Sequence, residues 1–171
     1  MRFVIETTYS QKGMTVMART LRKTLRRKTD ILSNIFAGVA FVIALLLLIM
    51  DGWPFSFKGW ITAVIALFML TAVLWQDRLN GALAGRKMLP GMETVKAVFT
   101  EEKYINSTAA AETHWNHTQI KAVYETKDYF VFFLSNRHGQ IYDKHGFSEG
   151  APEEFHTFIS EKTGQPVEYI K

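Results

Sequence analysis

The chain has 171 residues, is 48% hydrophobic, carries a formal net charge of +4 and contains no cysteine. That length accommodates one membrane anchor and one small domain, and the missing thiols exclude disulfides, thiolate nucleophiles and cysteine-ligated zinc. The positive surplus is concentrated in Arg19, Arg22, Lys23, Arg26, Arg27 and Lys28; because it stands directly before an apolar run, it favours membrane orientation and anionic lipid over nucleic acid.

Residues 3–9 read as a short strand and 10–13 as a break. From Met14 the spacing becomes helical: Met14, Met17, Ala18, Leu21 and Leu25 recur at three- and four-residue steps with cations around them. Such a helix either lies in the membrane interface or continues straight into the next segment; both placements put its cations at headgroup level.

Residues 31–50 and 59–75 are uncharged and apolar. A run of about 20 apolar residues crosses roughly 30 Å of hydrocarbon as a helix, and neither run carries the polar stripe of a core helix in a soluble protein. The first run is too long for a signal-peptide apolar region and lacks a small-residue cleavage site. The second is short and is expected to begin nearer Phe57. Gly38 and Ala40 in the first run, and Ala63, Ala66 and Ala72 in the second, suit close helix contact. Trp53, Trp60 and Trp75 mark the two interfaces. Residues 51–58 hold only a turn, built on Gly52 and Pro54, so the helices are antiparallel neighbours. Lys58 is the loop's lone cation, against the basic cluster before the hairpin and Arg78, Arg86 and Lys87 after it. The positive-inside rule then places both termini in the cytoplasm. The absence of ionisable residues inside the runs argues against a transporter or channel. Gly81 and Gly85 have a spacing that can pair helices, but they lie past the apolar run and read mainly as juxtamembrane linker.

The expected organisation is an N-terminal strand and basic amphipathic helix at 1–30, a two-helix transmembrane hairpin at 31–76, a linker at 77–91 and a cytoplasmic domain at 92–171. In that domain, strand patterns fall at 94–99, 104–107, 118–125, 129–134 and 140–143, with turns at 101–103, 127–128 and 136–139. The continuous apolar run 129–134 marks a central strand. Pro152 suits a first helical position, Glu153 and Glu154 suit the helix dipole, Phe155, Phe158 and Ile159 form a buried stripe, and Gly164 and Pro166 end the helix. The fold class is a membrane α-helical hairpin plus an α+β domain, a small antiparallel sheet capped by one C-terminal helix, with 3–9 available as an extra strand.

Trp115, Ile120, Val123, the string from Glu125 to Phe130 (Glu-Thr-Lys-Asp-Tyr-Phe), Lys144, Phe147 and the helix at Glu153 to Phe155 together resemble the YcxB-like family of bacterial membrane proteins, best over 93–162. The preceding two spans match that family's layout. The family's Pro-Lys pair stands here as Asp143-Lys144. The resemblance implies a fold similar to bacterial pleckstrin-homology-like (PH-like) domains, in a multi-pass protein of the bacterial inner membrane, and no defined activity.

No phosphate loop, nucleophile elbow or zinc-protease motif occurs, and the pairs Glu101-Glu102 and Glu153-Glu154 sit in a turn and at a helix start rather than as an acid–base couple. His114 and His117 lack the further ligands a metal site requires. No catalytic residue, metal or cofactor is therefore expected. The candidate binding residues are Trp115, Arg137 and Lys144, with the cluster from Arg19 to Lys28 at the membrane surface. Expected partners are the bilayer and either another protein or anionic lipid headgroups; homo-oligomerisation stays open. The expected function is a non-enzymatic, membrane-anchored binding or scaffold module, with an immunity protein neutralising a toxin as the alternative.

Overall fold

The computed structural model describes residues 1–52, 56–86, 90–135 and 138–170. Trp53, Pro54, Lys87, Asn136 and Arg137, which the sequence reading used, lie outside them. Strand β1 (Phe3–Thr8) leads into helix α1 (Gln11–Lys23), whose N-cap Ser10 accepts from the Gly13 amide. A short break at Thr24 to Arg26 separates α1 from α2 (Arg27–Asp51), and α3 (Phe57–Leu74) returns alongside it. The two helices are apolar and long enough to cross a membrane, and only 6% and 11% of their apolar windows are buried by the rest of the chain. Core helices of a soluble protein are covered; side chains such as Phe36, Leu46, Val64 and Phe68 here stand exposed and need an apolar surrounding. Helix α3 does begin at Phe57, and Trp60 and Trp75 lie at its two ends.

The segment read as linker is mostly helix, α4 (Gln76–Arg86). It packs along α1, and the reason is Gly81. A Cβ at that position would lie 2.8 Å from the Thr15 backbone nitrogen, so only glycine allows the two helices this approach. Of the two glycines spaced for helix pairing, Gly81 makes this close contact and Gly85 does not.

Seven further strands follow: β2 (Thr94–Phe99), β3 (Lys103–Ser107), β4 (Glu112–Asn116), β5 (Ala122–Glu125), β6 (Tyr129–Ser135), β7 (His138–Asp143) and β8 (Phe147–Glu149); after α5 (Pro152–Thr163) comes the short β9 (Val167–Tyr169). They form two sheets rather than the single antiparallel sheet expected, in the orders β4-β3-β2-β1-β8 and β7-β6-β5-β9. The second is mixed, because β9 pairs parallel to β5. Strand β1 is interior to the first sheet, antiparallel to β2 (Phe3 opposite Phe99) and to β8. At the approach to β8, Gly146 crosses β1 so closely that a Cβ would meet the Glu6 carbonyl oxygen. The segment read as strand from 118 starts instead as a 3-10 turn, His117–Gln119, held by a capping box between Asn116 and Gln119.

Strand β6 is a continuous aromatic and aliphatic run from Tyr129 to Leu134 because both of its faces are covered. Phe130 and Phe132 enter the main core with Phe3, Ile5, Phe99, Tyr142 and the α5 residues Phe155, Phe158 and Ile159. Tyr129, Val131 and Phe133 join Ile141 in a second cluster on the opposite face, closed by Val16, Met17 and Leu21 of α1. The apolar stripe of α1 therefore lies on the protein's own sheet. Helix α5 begins at Pro152 and stops at Gly164, whose φ of 64° supplies the left-handed cap.

The α1–α4 contact gives a paired prediction. Gly81→Ala should destabilise the protein by about 1–3 kcal/mol through overpacking. Gly85→Ala, where a Cβ meets no described atom within 4 Å, should be neutral or stabilise by up to about 1 kcal/mol through helix propensity. Thermal unfolding of the detergent-solubilised full chain measures both.

Candidate functional site

Helix α1 orders the surfaces of the domain along one axis. At its N-terminal end Lys12 donates to Asp128 at 2.7 Å, in the turn between β5 and β6. At its C-terminal end Leu21 and Arg22 share a cleft with Phe133, His138 and Gly139, at the opposite ends of β6 and β7. Ten helical steps from Lys12 to Arg22 separate these points by about 15 Å. One cleft thus adjoins the apolar helices and the other stands about that far from them along α1.

The proximal cleft, of about 430 Å3, lies between α1, α2, α4 and the β6–β7 end of the second sheet. Met14, Met17 and Leu21 line it from α1, Thr29, Asp30 and Ser33 from α2, and Gln76, Asn80 and Ala84 from α4. Its frame is ionic. Arg22 Nε and Nη2 donate to the two Asp77 carboxylate oxygens at 2.7 and 2.8 Å, and Nη1 donates to Asp30 at 3.0 Å. One guanidinium so binds α1 to α4 and α2 together in the planar geometry that favours arginine. Arg22 holds the Asp77 carboxyl below the usual carboxylate range, with Arg19 assisting at 3.5 Å. Of the predicted basic cluster, Arg22 is thus half-buried in the frame, while Arg19, Lys23, Arg26, Arg27 and Lys28 are exposed around it.

The distal cleft, of about 530 Å3, is lined by Glu125, Lys127, Lys144, His145, Pro152, Glu153 and His156. Lys144 donates to Glu125 Oε1 and lies 5.0 Å above the Phe130 ring, while His156 Nδ1 is 2.6 Å from Glu125 Oε2. Burial pushes the Glu125 carboxyl up, but hydrogen bonds from Lys144 and His156 outweigh it and hold the group below the ordinary range.

The predicted residues do not form one rim. Trp115 on β4 is half-buried, donates to Thr113 Oγ1 at 3.1 Å and meets the His138 ring edge-on at 5.4 Å, which places it beside the proximal cleft. Lys144 follows the far end of β7 and belongs to the distal cleft. Arg137 lies outside the described residues. Sequence reasoning missed Glu125 and His156, though Glu125 sits in the string that carried the family resemblance, and it missed Asp30 and Asp77, acids at the domain end of the apolar runs.

Between the sheets, a buried polar network ties β3 to β7. Tyr104 donates to Gln140 Oε1 at 2.9 Å and Asn106 Nδ2 donates to the Tyr142 hydroxyl at 3.0 Å. Nearby, His117 is 4% exposed and its Nε2 donates to the Thr100 carbonyl at 2.8 Å. Its Nδ1 is buried with no hydrogen-bond partner among the described residues. His114 instead stands exposed, 3.0 Å from Glu112.

Residues 99–159 match the family model of the YcxB-like protein. The YcxB-like match spans the last residue of β2 through most of α5 and leaves out β1 and all four of α1–α4. No curated protein and no solved structure matches the chain.

Burial lowers the His117 pKa, so the folded state favours the neutral ring. Above an ordinary histidine value of about 6.5, both folded and unfolded chains hold it neutral and it adds no pH dependence. As the pH falls below that value the unfolded chain takes a proton that the folded chain resists, and stability falls. The slope between about pH 6.5 and 5 should flatten in His117→Gln. Denaturant unfolding across that interval measures it, before Asp77 and Glu125 begin to titrate.

Proposed function

We propose that the chain is a non-enzymatic, membrane-anchored binding module, presenting a PH-like domain at the cytoplasmic face of the bacterial inner membrane. The observation that carries this reading is the place of β1. A strand upstream of the apolar hairpin is hydrogen-bonded between strands downstream of it, so anchor and domain are one folded unit with an even number of membrane crossings between β1 and β2. The excess of cations at the domain end of the hairpin supports the cytoplasmic side. The YcxB-like match, together with two sheets closed by α5, supports the PH-like description. The Glu125, Lys144 and His156 side chains satisfy one another, which suits a preformed polar surface more than a poised catalytic group. Holding such a surface near the bilayer raises the effective concentration of a weakly binding protein there. The distal cleft is the surface we assign to that partner protein, since no residue of α2 or α3 lines it and it is rimmed by exposed Lys127, His145 and Glu153.

The absence of cysteine makes the topology directly measurable. Ser56→Cys, in the turn between α2 and α3, should react with a membrane-impermeant maleimide in intact spheroplasts, and Ser160→Cys should react only after lysis. The reverse pattern would overturn the cytoplasmic placement.

For the partner, a photo-crosslinking residue at Lys127 of the full chain in native membranes should give a discrete heteromeric adduct that is lost when His145 and Glu153 are both changed to Ala. No adduct, or one indifferent to those changes, would remove binding through the distal cleft.

A further inference from the structure

We propose that the proximal cleft binds the headgroup of one anionic bilayer phospholipid. The inference rests on reading α2 and α3 as membrane spans and is independent of the distal cleft.

Depth is the first argument. The cleft is bounded by Ser33, two residues into the uncharged run that begins at 31, and by Gln76, the residue after the second run ends at 75. In an antiparallel pair these positions share one level, which is the hydrocarbon boundary. The cleft therefore opens where a phospholipid's phosphate and glycerol reside, and a lipid reaches it by lateral diffusion.

Chemistry is the second. The wall turned toward the sheet is apolar, from Met14, Met17, Leu21 and Phe133, while the wall turned toward the spans offers hydroxyl and amide groups of Thr29, Ser33, Gln76 and Asn80. The polar wall nearest the spans suits the phosphate and glycerol of a headgroup, which lie at that level. A volume of about 430 Å3 is within the usual range for small-molecule sites.

Charge is the third. The lining carries Arg22 and Arg26 against Asp30. Asp30 already accepts from Arg22 and, at 3.2 Å, from Asn34 Nδ2, and Arg22 with Arg19 balances the two carboxylates Asp30 and Asp77. Arg27 and Lys28 on the next residues are exposed and add to a positive field at the mouth. An anionic headgroup completes this arrangement, whereas a zwitterionic one brings its own cation into it.

The test uses the full-length protein in nanodiscs of phosphatidylcholine with a minor fraction of phosphatidylglycerol, followed by transfer to detergent and native mass spectrometry. One phosphatidylglycerol per chain should be retained in preference to phosphatidylcholine. Arg26→Gln should lower retention about tenfold, as expected for a charge-assisted contact. Lys28→Gln, which removes the same charge at the same depth outside the cleft, should lower it by about twofold or less. Ala84→Phe, which narrows the cleft from α4, should abolish retention. Glycerol 3-phosphate should not displace the lipid. Equal retention of the two lipids, no effect of Arg26→Gln, equal loss in Arg26→Gln and Lys28→Gln, or displacement by the soluble phosphate would each overturn the proposal. Carbonate extraction of the wild-type protein from native membranes is read separately. Release there would remove the membrane reading itself, whereas retention with no bound lipid would remove only the headgroup site.

Discussion

A strand from one side of the hairpin completes a sheet from the other side, and the rest of the structure depends on that pairing. Phe3 lies opposite Phe99 and Thr8 opposite Thr94; both apolar helices lie in the chain between them. Neither half can bury its aromatic residues alone, since Phe3 contacts Phe155 and Phe158 at ring-centroid separations of 5.3 and 5.0 Å. The entropic cost of closing so long a loop grows only slowly with its length. A loop whose two helices are held together in lipid is shorter in effect than its residue count, because the hairpin brings its own ends to the same level. With α2 and α3 inserted in a bilayer, insertion and domain folding would favour each other: the helices would supply proximity, and the sheet ties down both ends.

The junction between membrane and domain is stiffened by devices that act at different ranges. Gly81 lets α4 approach α1 to backbone contact, a short-range steric condition. Arg22, bidentate to Asp77 and also bonded to Asp30, links three helices through charge in a half-buried setting where solvent screens it less than at the surface. The connections are short as well: a few residues at Thr24 to Arg26 join α1 to α2, and Trp75 alone separates α3 from α4. A flexible tether would let the domain tumble and would leave the cleft facing any direction. These connections leave little slack, so the cleft beside α2 and the one past the other end of β7 keep distinct positions relative to the spans.

Features set by local rules were legible in the sequence. The caps and stripe of α5, the extent of β2 and the burial of β6 on both faces each follow from residues adjacent in the chain. The two apolar helices were legible for the same reason, since length and composition suffice. What the sequence did not disclose depends on which surface covers which. The spacing of Met14, Met17 and Leu21 reports that α1 has an apolar face, and lipid and a sheet satisfy that face equally; Val131, Phe133 and Ile141 decide it. Strands β8 and β9 are three residues each, too short to show alternation, and β4 has no buried residue to mark a face. Residues 118–121 alternate like a strand, yet the Asn116–Gln119 capping box competes locally and turns the chain.

The candidate sites show the same division. Trp115 and Lys144 were singled out as individual side chains with evident binding chemistry, but grouping them required knowing that His138 and Lys144 occupy opposite ends of β7. The acids were harder to value. Asp30, Asp77 and Glu125 look like ordinary solvated carboxylates in sequence, and each becomes informative only through its cation: Asp30 and Asp77 through Arg22, Glu125 through Lys144. Charge pairing also separates the two clefts. In the distal one Glu125 accepts from both Lys144 and His156, so much of the charge is consumed internally and the remaining lining groups are exposed. In the proximal one Arg22 and Arg19 balance Asp30 and Asp77, and Arg26, Arg27 and Lys28 add further positive charge. A surface with internally balanced charge selects its partner by shape and hydrogen bonding, and one with a residual field selects by charge. On the function proposed above, the positive field would serve attachment beside a bilayer and the balanced surface would serve recognition away from it.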